Sequence, residues 1–515
     1  MTSDPDPALT ADERGDEHLD ESSKLAEIMA VRRDKARMLR DQGLDPFAYF
    51  WEPTHTVEQV RDQWAALEPG TETGTQVTIA GRLVARRGQG KIAFGVLRED
   101  GEDVQLFVQV NAIGQDGMTF FTDQVDVGDW LGVVGEVMVT RRGELSIRPS
   151  RIDILSKSLR PLPDKWHGLK DVEQRYRHRE VDLIVNDETR RIFRLRSELL
   201  QGIRDEMLAR GFVEVETPML HPIPGGATAR PFVTHHNALG TDLYLRIAPE
   251  LYLKRLVIGG MRRVFEINRS FRNEGMSTRH NPEFTMLESY EAYGDHESAM
   301  ELTEALFQRA ALVITDQTEL TYQGRDVSLR GPFRRVPLLD LVREAVGDLD
   351  LSYETPLDDL RALCDTHGVD IESGWGAGKL IVELYEKLVE STLWDPTFVT
   401  EHPIETSPLA KRHRDKPHVT ERFELIVIGR EMANGFSELT DPDDQRARFD
   451  EQAAAKAAGD LEAMEVDDNY LTAMEYGLPP TAGLGVGVDR LVMLIGDVAT
   501  IRDVILFPTL RPEQT

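Results

Sequence analysis

Along residues 264–274, polar and apolar positions alternate, so that Glu266, Asn268, Arg272 and Glu274 fall at even positions and share one face of an extended strand. Gly275 ends the run. After a loop rich in Ser, Arg, His and Asn, Pro282 releases a second strand with Phe284, Met286, Glu288 and Tyr290 on a common face. The pattern predicts a hairpin whose polar faces line one pocket. A solvent-exposed hairpin would also carry a polar face, but one that mixes arginine, carboxylates and aromatic rings is more specific than solvation needs. The same alternation returns later. Glu424 and Glu431 are expected to bracket a strand, and Asn434, Phe436 and Glu438 alternate onto one face. TAGLGVGVDRLVML predicts a glycine-rich strand running into a helix with Arg490 in its first turn.

Between residues 69 and 160 the period is two throughout: Val77, Ile79 and Leu83; Val104, Leu106, Val108 and Val110; Leu131, Val133, Val137 and Val139; Leu145 and Ile147, with Gly101, Gly128 and Gly143 at turns. About five short strands predict a small barrel, of which the oligonucleotide-binding (OB) fold is the common function-bearing form. Upstream, Leu25, Ile28, Met29, Ala36 and Leu39 are spaced for one face of a helix from about Ser22 to Gln42, stopped by Gly43. Residues 1–23 read as a disordered acidic tail and 24–68 as an N-terminal helical segment. Pro161 and Pro163 open a linker over 161–185. A second domain then starts at a helix capped by Asn186 or Asp187, its apolar face made by Ile192, Leu195, Leu199, Ile203 and Met207. Residues 308–415 read as a helical insertion without a chemical motif. The predicted class is α+β: a five-stranded OB barrel over 69–160, followed over 186–515 by an antiparallel sheet flanked by helices.

Composition narrows the setting. A chain of 515 residues with 40% hydrophobic content fills more than one core. A single cysteine, Cys364, excludes an internal disulfide or a thiolate metal cluster and points to a reducing compartment, the cytoplasm. No run approaches the length of a membrane span. The net charge of −30 opposes indiscriminate binding to a polyanion. Local basic clusters remain: Lys24, Arg32, Arg33, Lys35, Arg37 and Arg40 in the first helix, then Arg82, Arg86, Arg87, Lys91, Arg141 and Arg142 in the barrel. For the first cluster a solvated helix face and a nucleic-acid contact are equally compatible with the pattern. The glycines of GLGVGVDR fail as a dinucleotide fingerprint, because the spacing is GxGxG and no βαβ unit surrounds it.

Several motifs in order resemble a known family. GFVEVETPM with Pro218, FRNEG-loop-HNPEF and GLGVGVDR are similar to the three signature motifs of class II aminoacyl-tRNA synthetases. IPGGATARPF, RIAPELYLKRL, REMANGFSEL and GLPPTAGLG look like lysyl-tRNA synthetases, over about residues 24–512. The resemblance implies a class II catalytic domain that joins lysine to ATP as lysyl-adenylate, releases pyrophosphate and transfers lysine to the 3′ end of tRNA(Lys). It assigns Arg272 to the α-phosphate, where a planar guanidinium meets developing charge, and Arg279 and His280 to the outer phosphates. Adenine falls between Phe284 and Arg490, its edge read by Glu274 and the Asn281 backbone. Mg2+ falls to Glu424 and Glu431 as hard oxygen ligands. Lysine falls to Gly226 and Glu250 at its α-amino group, Asn434 at its carboxylate, and Glu288, Tyr290 and Glu438 around its side-chain ammonium, with Phe436 on the same strand face. In the barrel, Arg87, Phe94, Gln105 and Glu144 stand where the family reads the anticodon. If Phe94 is a core residue it cannot do so, and its alternating strand leaves its face open.

The resemblance further implies a homodimer built on the helix that ends before Pro218, with ATP, L-lysine and tRNA(Lys) as partners and no membrane. Two other functions share the core: lysylation of a protein target, as by elongation factor P modifiers, and nucleic-acid-binding regulation by an inactive ligase core. The former lack the barrel. The intact set Arg272, Glu274, Phe284, Glu424, Glu431 and Arg490 opposes the latter.

Overall fold

Strand alternation closes the first sheet on itself. In a computed structural model that describes residues 11–163, 171–372, 374–459 and 462–513, β1 (Glu72–Gln89), β2 (Ile92–Glu99), β3 (Glu102–Gln109), β4 (Trp130–Val139) and β5 (Leu145–Ser156) form a closed barrel in the order β1-β2-β3-β5-β4. Val77, Ile79, Leu83, Leu97, Leu106, Val133 and Ile147 fill its interior. The long β1 pairs with both β2 and β4, and a bulge between Leu83 and Ala85 supplies the bend that closure needs. Val110, expected in the third strand, instead opens the helix Val110–Thr119, because the β2–β3 ladder ends at the Ile92–Gln109 pair.

The first helix, α1 (Ala11–Asp41), starts before the expected Ser22. ADERGDEHLDE contains no proline and one glycine, so nothing in it breaks a helix. The disordered tail expected over 1–23 is therefore helical from Ala11, and its first part lies outside the described residues. Of the apolar face expected on this helix, Ala36 and Leu39 are buried while Ile28 is exposed. Part of the basic cluster is structural. Arg32 is buried and donates to the Ser158 carbonyl at 2.8 Å, and Lys35 pairs with Asp126 at 2.7 Å.

Contacts divide the chain into two units, one holding the residues up to Arg175 with Glu180–Asp187, the other Tyr176–Arg179 with Glu188–Thr515. The linker expected at 161–185 contributes to both and carries two short helices, Val172–Arg177 and Arg179–Val185. The second unit is organised by α2 (Asp187–Ala209) and an eight-stranded sheet. Its strands are β6 (Val213–Glu214), β7 (Arg263–Phe271), β8 (Glu283–Ala292), β9 (Arg334–Pro337), β10 (Thr397–Thr400), β11 (Arg422–Val427), β12 (Arg430–Ser437) and β13 (Thr481–Gly487). The order is β9-β10-β11-β12-β13-β8-β7-β6, antiparallel except for the β9–β10 and β6–β7 pairs.

One face of this sheet is apolar. Phe265, Leu287, Leu425, Leu484 and Val486 share a core with Ile192, Leu195, Leu199, Ile203 and Met207 of α2, and with residues of α4 (His296–Thr315) and α7 (Val488–Ile495); α3 (Glu250–Ile258), α5 (Ala377–Leu388) and α6 (Asp468–Met474) stand between them in chain order. The α2 face predicted to meet a second subunit is thus buried within its own chain. Burial of such side chains contributes about 1.5–3 kcal/mol each, and within one chain this gain is made without the translational and rotational entropy cost of association. Exposed apolar side chains occur nearby in sequence instead, at Leu208, Val213, Met219 and Leu220.

The stretch 308–415 is not a wholly helical insertion. It begins inside α4, supplies β9 and β10 to the edge of the main sheet, and carries α5 between them. FVT and RRVP are too short for a period to distinguish them from loop. Among the described residues no helix is long and apolar enough to cross a membrane.

Candidate functional site

The opposite face of the sheet borders a cavity of about 1240 Å³, lined by residues of β8, β11, β12, β13, α5 and the loops after β7 and β10. The alternation of TAGLGVG explains its floor. Ala482, Leu484 and Val486 are buried in the core, so Gly483, Gly485 and Gly487 face the cavity. A Cβ at Gly483 would stand 1.8 Å from Glu438 Oε1, and one at Gly485 would stand 3.3 Å from Met286 Cε. The first glycine therefore makes room for a carboxylate rather than for a nucleotide.

Every residue expected to meet ATP, metal or amino acid lines this cavity: Gly226, Glu250, Arg272, Glu274, Arg279, His280, Asn281, Phe284, Glu288, Tyr290, Glu424, Glu431, Asn434, Phe436, Glu438 and Arg490. Glu266 and Asn268, which share the strand face with Arg272 in the sequence pattern, do not. Glu266 makes a buried ion pair with Arg246 at 2.7 Å and accepts from Thr217 Oγ1 at 2.7 Å, so its charge is used to hold β7 in place.

At one end of the cavity, Arg272 lies over the ring of Phe284, with Cζ 5.1 Å from the ring centroid, and its buried Nε has no hydrogen-bond partner. Phe284 and Arg490, expected on either side of adenine, both line the cavity. The Arg490 head group donates to the Glu431 carboxylate at 3.1 Å and lies 3.3 Å from His280 Nε2. Burial, then Arg490, depresses the His280 pKa, which favours a neutral ring. Asn281 is fixed from both sides, its Nδ2 donating to the Glu283 carbonyl at 2.6 Å and its Oδ1 accepting from Thr509 N at 3.2 Å.

Glu424 and Glu431 do not bracket one strand. They sit on β11 and β12, joined by the tight turn at Ile428 and Gly429, both at positive φ. Burial, then the neighbouring Glu431, Glu386 and Glu390, pushes Glu424 up to about 7 against the opposing Arg422. Burial also opposes ionisation of Glu431, but Arg490 and Arg272 hold it below its ordinary value. The pair, with Glu386 and Glu390 close by, is a set of hard oxygen donors, which suits a divalent cation. Among the described residues no group of three or more His, Cys, Asp or Glu is arranged to hold a metal alone, so such an ion would take further oxygens from phosphate and water.

At the other end Glu250, Glu288 and Glu438 converge with Tyr290. Tyr290 donates to Glu288 Oε2 at 3.3 Å. Burial, then Glu250, raises Glu288 to about 8, so it holds a proton at neutral pH. Lys254, fully buried, pairs with Glu250 at 2.6 Å and also with Glu438.

Several of these side chains were not singled out from the sequence. Lys254 stands four residues after Glu250 on α3, a spacing at which helix side chains meet, and this signal was readable. Arg422 was not, since its reach depends on strand register. It donates to Asn434 Oδ1 at 2.9 Å, Glu424 Oε1 at 2.5 Å and the Thr406 carbonyl at 2.9 Å. It thereby ties the loop after β10, read as featureless, to two site residues. Asp489 accepts from Thr285 N at 2.7 Å and from Arg196 at 2.6 Å, and Arg196 also donates to Thr285 Oγ1 at 2.9 Å. This brace fixes α7, and so Arg490, against β8 and α2.

The barrel carries its own cluster. Ala93, Gly95 and Leu97 of β2 are buried, so Phe94 faces outward, half-buried. Its ring stacks on Phe107 at 5.2 Å and 20°, with Arg87 Cζ 5.3 Å from its centroid. Arg87 also reaches Gln105 Oε1 at 3.4 Å, and Gln105 donates to Ser146 Oγ at 2.9 Å. Glu144 is exposed just before β5, and its carbonyl accepts from Ser146 Oγ at 3.1 Å. Phe107 joins this outer face without having been expected there.

Comparison with known proteins agrees with both units. Residues 171–511 match the family described as tRNA synthetases class II (D, K and N), and residues 77–155 match the OB-fold nucleic acid binding domain. The chain is 50% identical over 492 residues to the lysine–tRNA ligase of Carboxydothermus hydrogenoformans, covering 96% of this chain and 99% of the relative. It is 50% identical over 495 residues to that of Trichormus variabilis (95% and 88%) and 48% identical over 494 residues to that of Pelotomaculum thermopropionicum (95% and 96%).

The Asp489 brace gives a stability prediction. Asp489→Ala removes the buried carboxylate that meets the half-buried Arg196 and is expected to lower the unfolding free energy by about 2–4 kcal/mol, measured by urea denaturation. A loss below about 1 kcal/mol would show that the brace is weak.

Proposed function

The chain belongs to the class II tRNA synthetases of the D, K and N group, and from that premise we propose that it is an ATP-dependent lysine–tRNA ligase. The observation that carries the choice of amino acid is the convergence of Glu250, Glu288 and Glu438 with Tyr290 at one end of the cavity. An ammonium leaving water needs such partners, and a neutral or acidic amino acid would leave this cluster with Lys254 as the one cation paired to it among the described residues.

In this reading the α-amino group of lysine meets Glu250 and the Gly226 backbone, its carboxylate meets Asn434, and its side-chain ammonium meets Glu288, Tyr290 and Glu438 beside Phe436. ATP lies along the other end. Arg272, whose buried Nε lacks a partner, is oriented for the α-phosphate, where attack by the lysine carboxylate develops charge on the non-bridging oxygens. Arg279 and His280 meet the outer phosphates. Phe284 and Arg490 form the walls of an adenine slot, with Glu274 and the Asn281 backbone at its edge. Glu424 and Glu431 would hold Mg2+, which neutralises phosphate charge when bound. Catalysis by this chain is mainly positioning: Arg272 and Arg490 act on the nucleotide, while Arg422 and Asp489 keep Asn434 and Arg490 in place.

The outer face of the barrel, with Arg87, Phe94, Gln105 and Glu144, is proposed to read the anticodon of tRNA(Lys). An outward aromatic ring beside a guanidinium offers a stacking platform. The barrel also weighs against a protein target as the acceptor. We propose further that the chain works in the cytoplasm, in keeping with its one buried cysteine, and as a homodimer, supported by the exposed Val213, Met219 and Leu220 after α2.

Exchange of labelled pyrophosphate into ATP is expected with lysine and not with asparagine or aspartate; exchange with either of those in place of lysine refutes the proposal. Because lysine must drive a proton from Glu288, the KM for lysine should fall as pH rises through about 8, and Glu288→Gln should flatten that dependence. A slope unchanged in the variant removes Glu288 from the ammonium site. For the barrel, Phe94→Ala is expected to raise the KM for tRNA(Lys) by the equivalent of about 1–3 kcal/mol while pyrophosphate exchange stays at the wild-type level; an unaltered KM excludes stacking there. Sedimentation equilibrium should give twice the chain mass, shifted toward the monomer by Met219→Asp with Leu220→Asp, and a monomeric wild type disproves the dimer.

A further inference from the structure

Lys254 occupies an unusual position for a lysine. It is fully buried, it does not line the cavity, and it lies behind the wall between two carboxylates that do. Its Nζ is 2.6 Å from Glu250 Oε1 and also contacts Glu438 Oε2, while the rings of Phe436 and Tyr470 flank it at 5.6 and 6.0 Å. Glu438 Oε1, buried and without a hydrogen-bond partner, is the atom that a Cβ at the cavity-lining Gly483 would strike. Each carboxylate therefore turns one oxygen to the internal ammonium. On Glu438 the other oxygen stands at the cavity wall.

Glu250 and Glu438 are also the carboxylates that meet the two ammonium groups of lysine in the proposed function, and the role inferred for Lys254 rests on that reading. We propose that Lys254 is a positioning residue that bridges the two carboxylates from behind and sets their separation, so that the pocket accepts a diamino acid of lysine length in preference to a shorter one. Two observations favour this over simple charge balance. The bridge joins the two ends of the amino-acid site rather than one carboxylate and its nearest cation. It is also clamped laterally by rings from β12 and α6, so the ammonium cannot swing to follow either partner. Burial opposes the charge on Lys254, but Glu250 and Glu438 hold it above the ordinary lysine value, so the strut is charged at all working pH. The other charged and titratable groups around the strut are Glu288 and Tyr290 on β8, Arg422 on β11 and Tyr470 on α6.

The test is pyrophosphate exchange with lysine and with ornithine, which is one methylene shorter, in the full-length protein and in Lys254→Met and Lys254→Arg. Lysine-over-ornithine preference, as a ratio of kcat/KM, is expected to fall about tenfold or more in Lys254→Met, with a higher KM for lysine and an unchanged KM for ATP. Lys254→Arg keeps the charge but bridges the carboxylates with a wider planar fork. It should leave the ATP KM unaltered and still lower the preference. Should Lys254→Met fail to fold, with two buried carboxylates left unpaired, Lys254→Arg decides alone. A preference equal to that of the wild type in the variants that fold overturns the inference while leaving the lysine reading intact. A wild type silent with lysine overturns that reading, and the inference with it.

Discussion

Placing several carboxylates in a cavity out of water is unfavourable unless cations meet them, and the catalytic unit is built around that constraint. Glu250 and Glu438 share Lys254 as their internal cation, and Glu288 carries a proton near neutral pH. Glu424 and Glu431 are met by Arg422 and Arg490. The positive charge supplied by the chain falls short of the negative charge it gathers, so the cavity favours cations. In the proposed function the two ammonium groups of lysine and a divalent ion would supply them.

The sheet makes this arrangement possible through a division between its faces. On β13 every second residue is glycine, and the intervening alanine, leucine and valine anchor the strand in the core shared with α2, α4 and α7. The cavity floor is thus flat backbone, and the long acidic side chains of β8 and β12 reach across it. Rigidity on the apolar face holds the charges on the polar one. The braces through Asp489 and Arg422 extend the same logic to the helix and loop that border the cavity.

Much of this was legible in the chain because strand alternation is local: the two polar strands, the glycine-rich strand and the barrel strands all follow from period two. Three features were not. The positions of β9 and β10 depend on pairing with partners distant in sequence, and four-residue strands carry no period of their own. The use of α2 inside its own chain could not be separated from use at an interface, since an amphipathic face states only that it is buried. The Arg422 contacts depend on which residue of β12 stands opposite β11, where a register shift after Leu425 intervenes. Lys254 differs from these. Its relation to Glu250 follows from helical spacing, whereas its contact with Glu438 required the fold.

On β2 of the barrel, Phe94 and Val96 point outward while Ala93, Gly95 and Leu97 point in. Substitutions on the outer row leave the interior packing untouched, so recognition by this surface can drift or be redesigned one side chain at a time without endangering the scaffold. The cavity permits no such separation, because there the recognising groups and the structural ones hold the same charges.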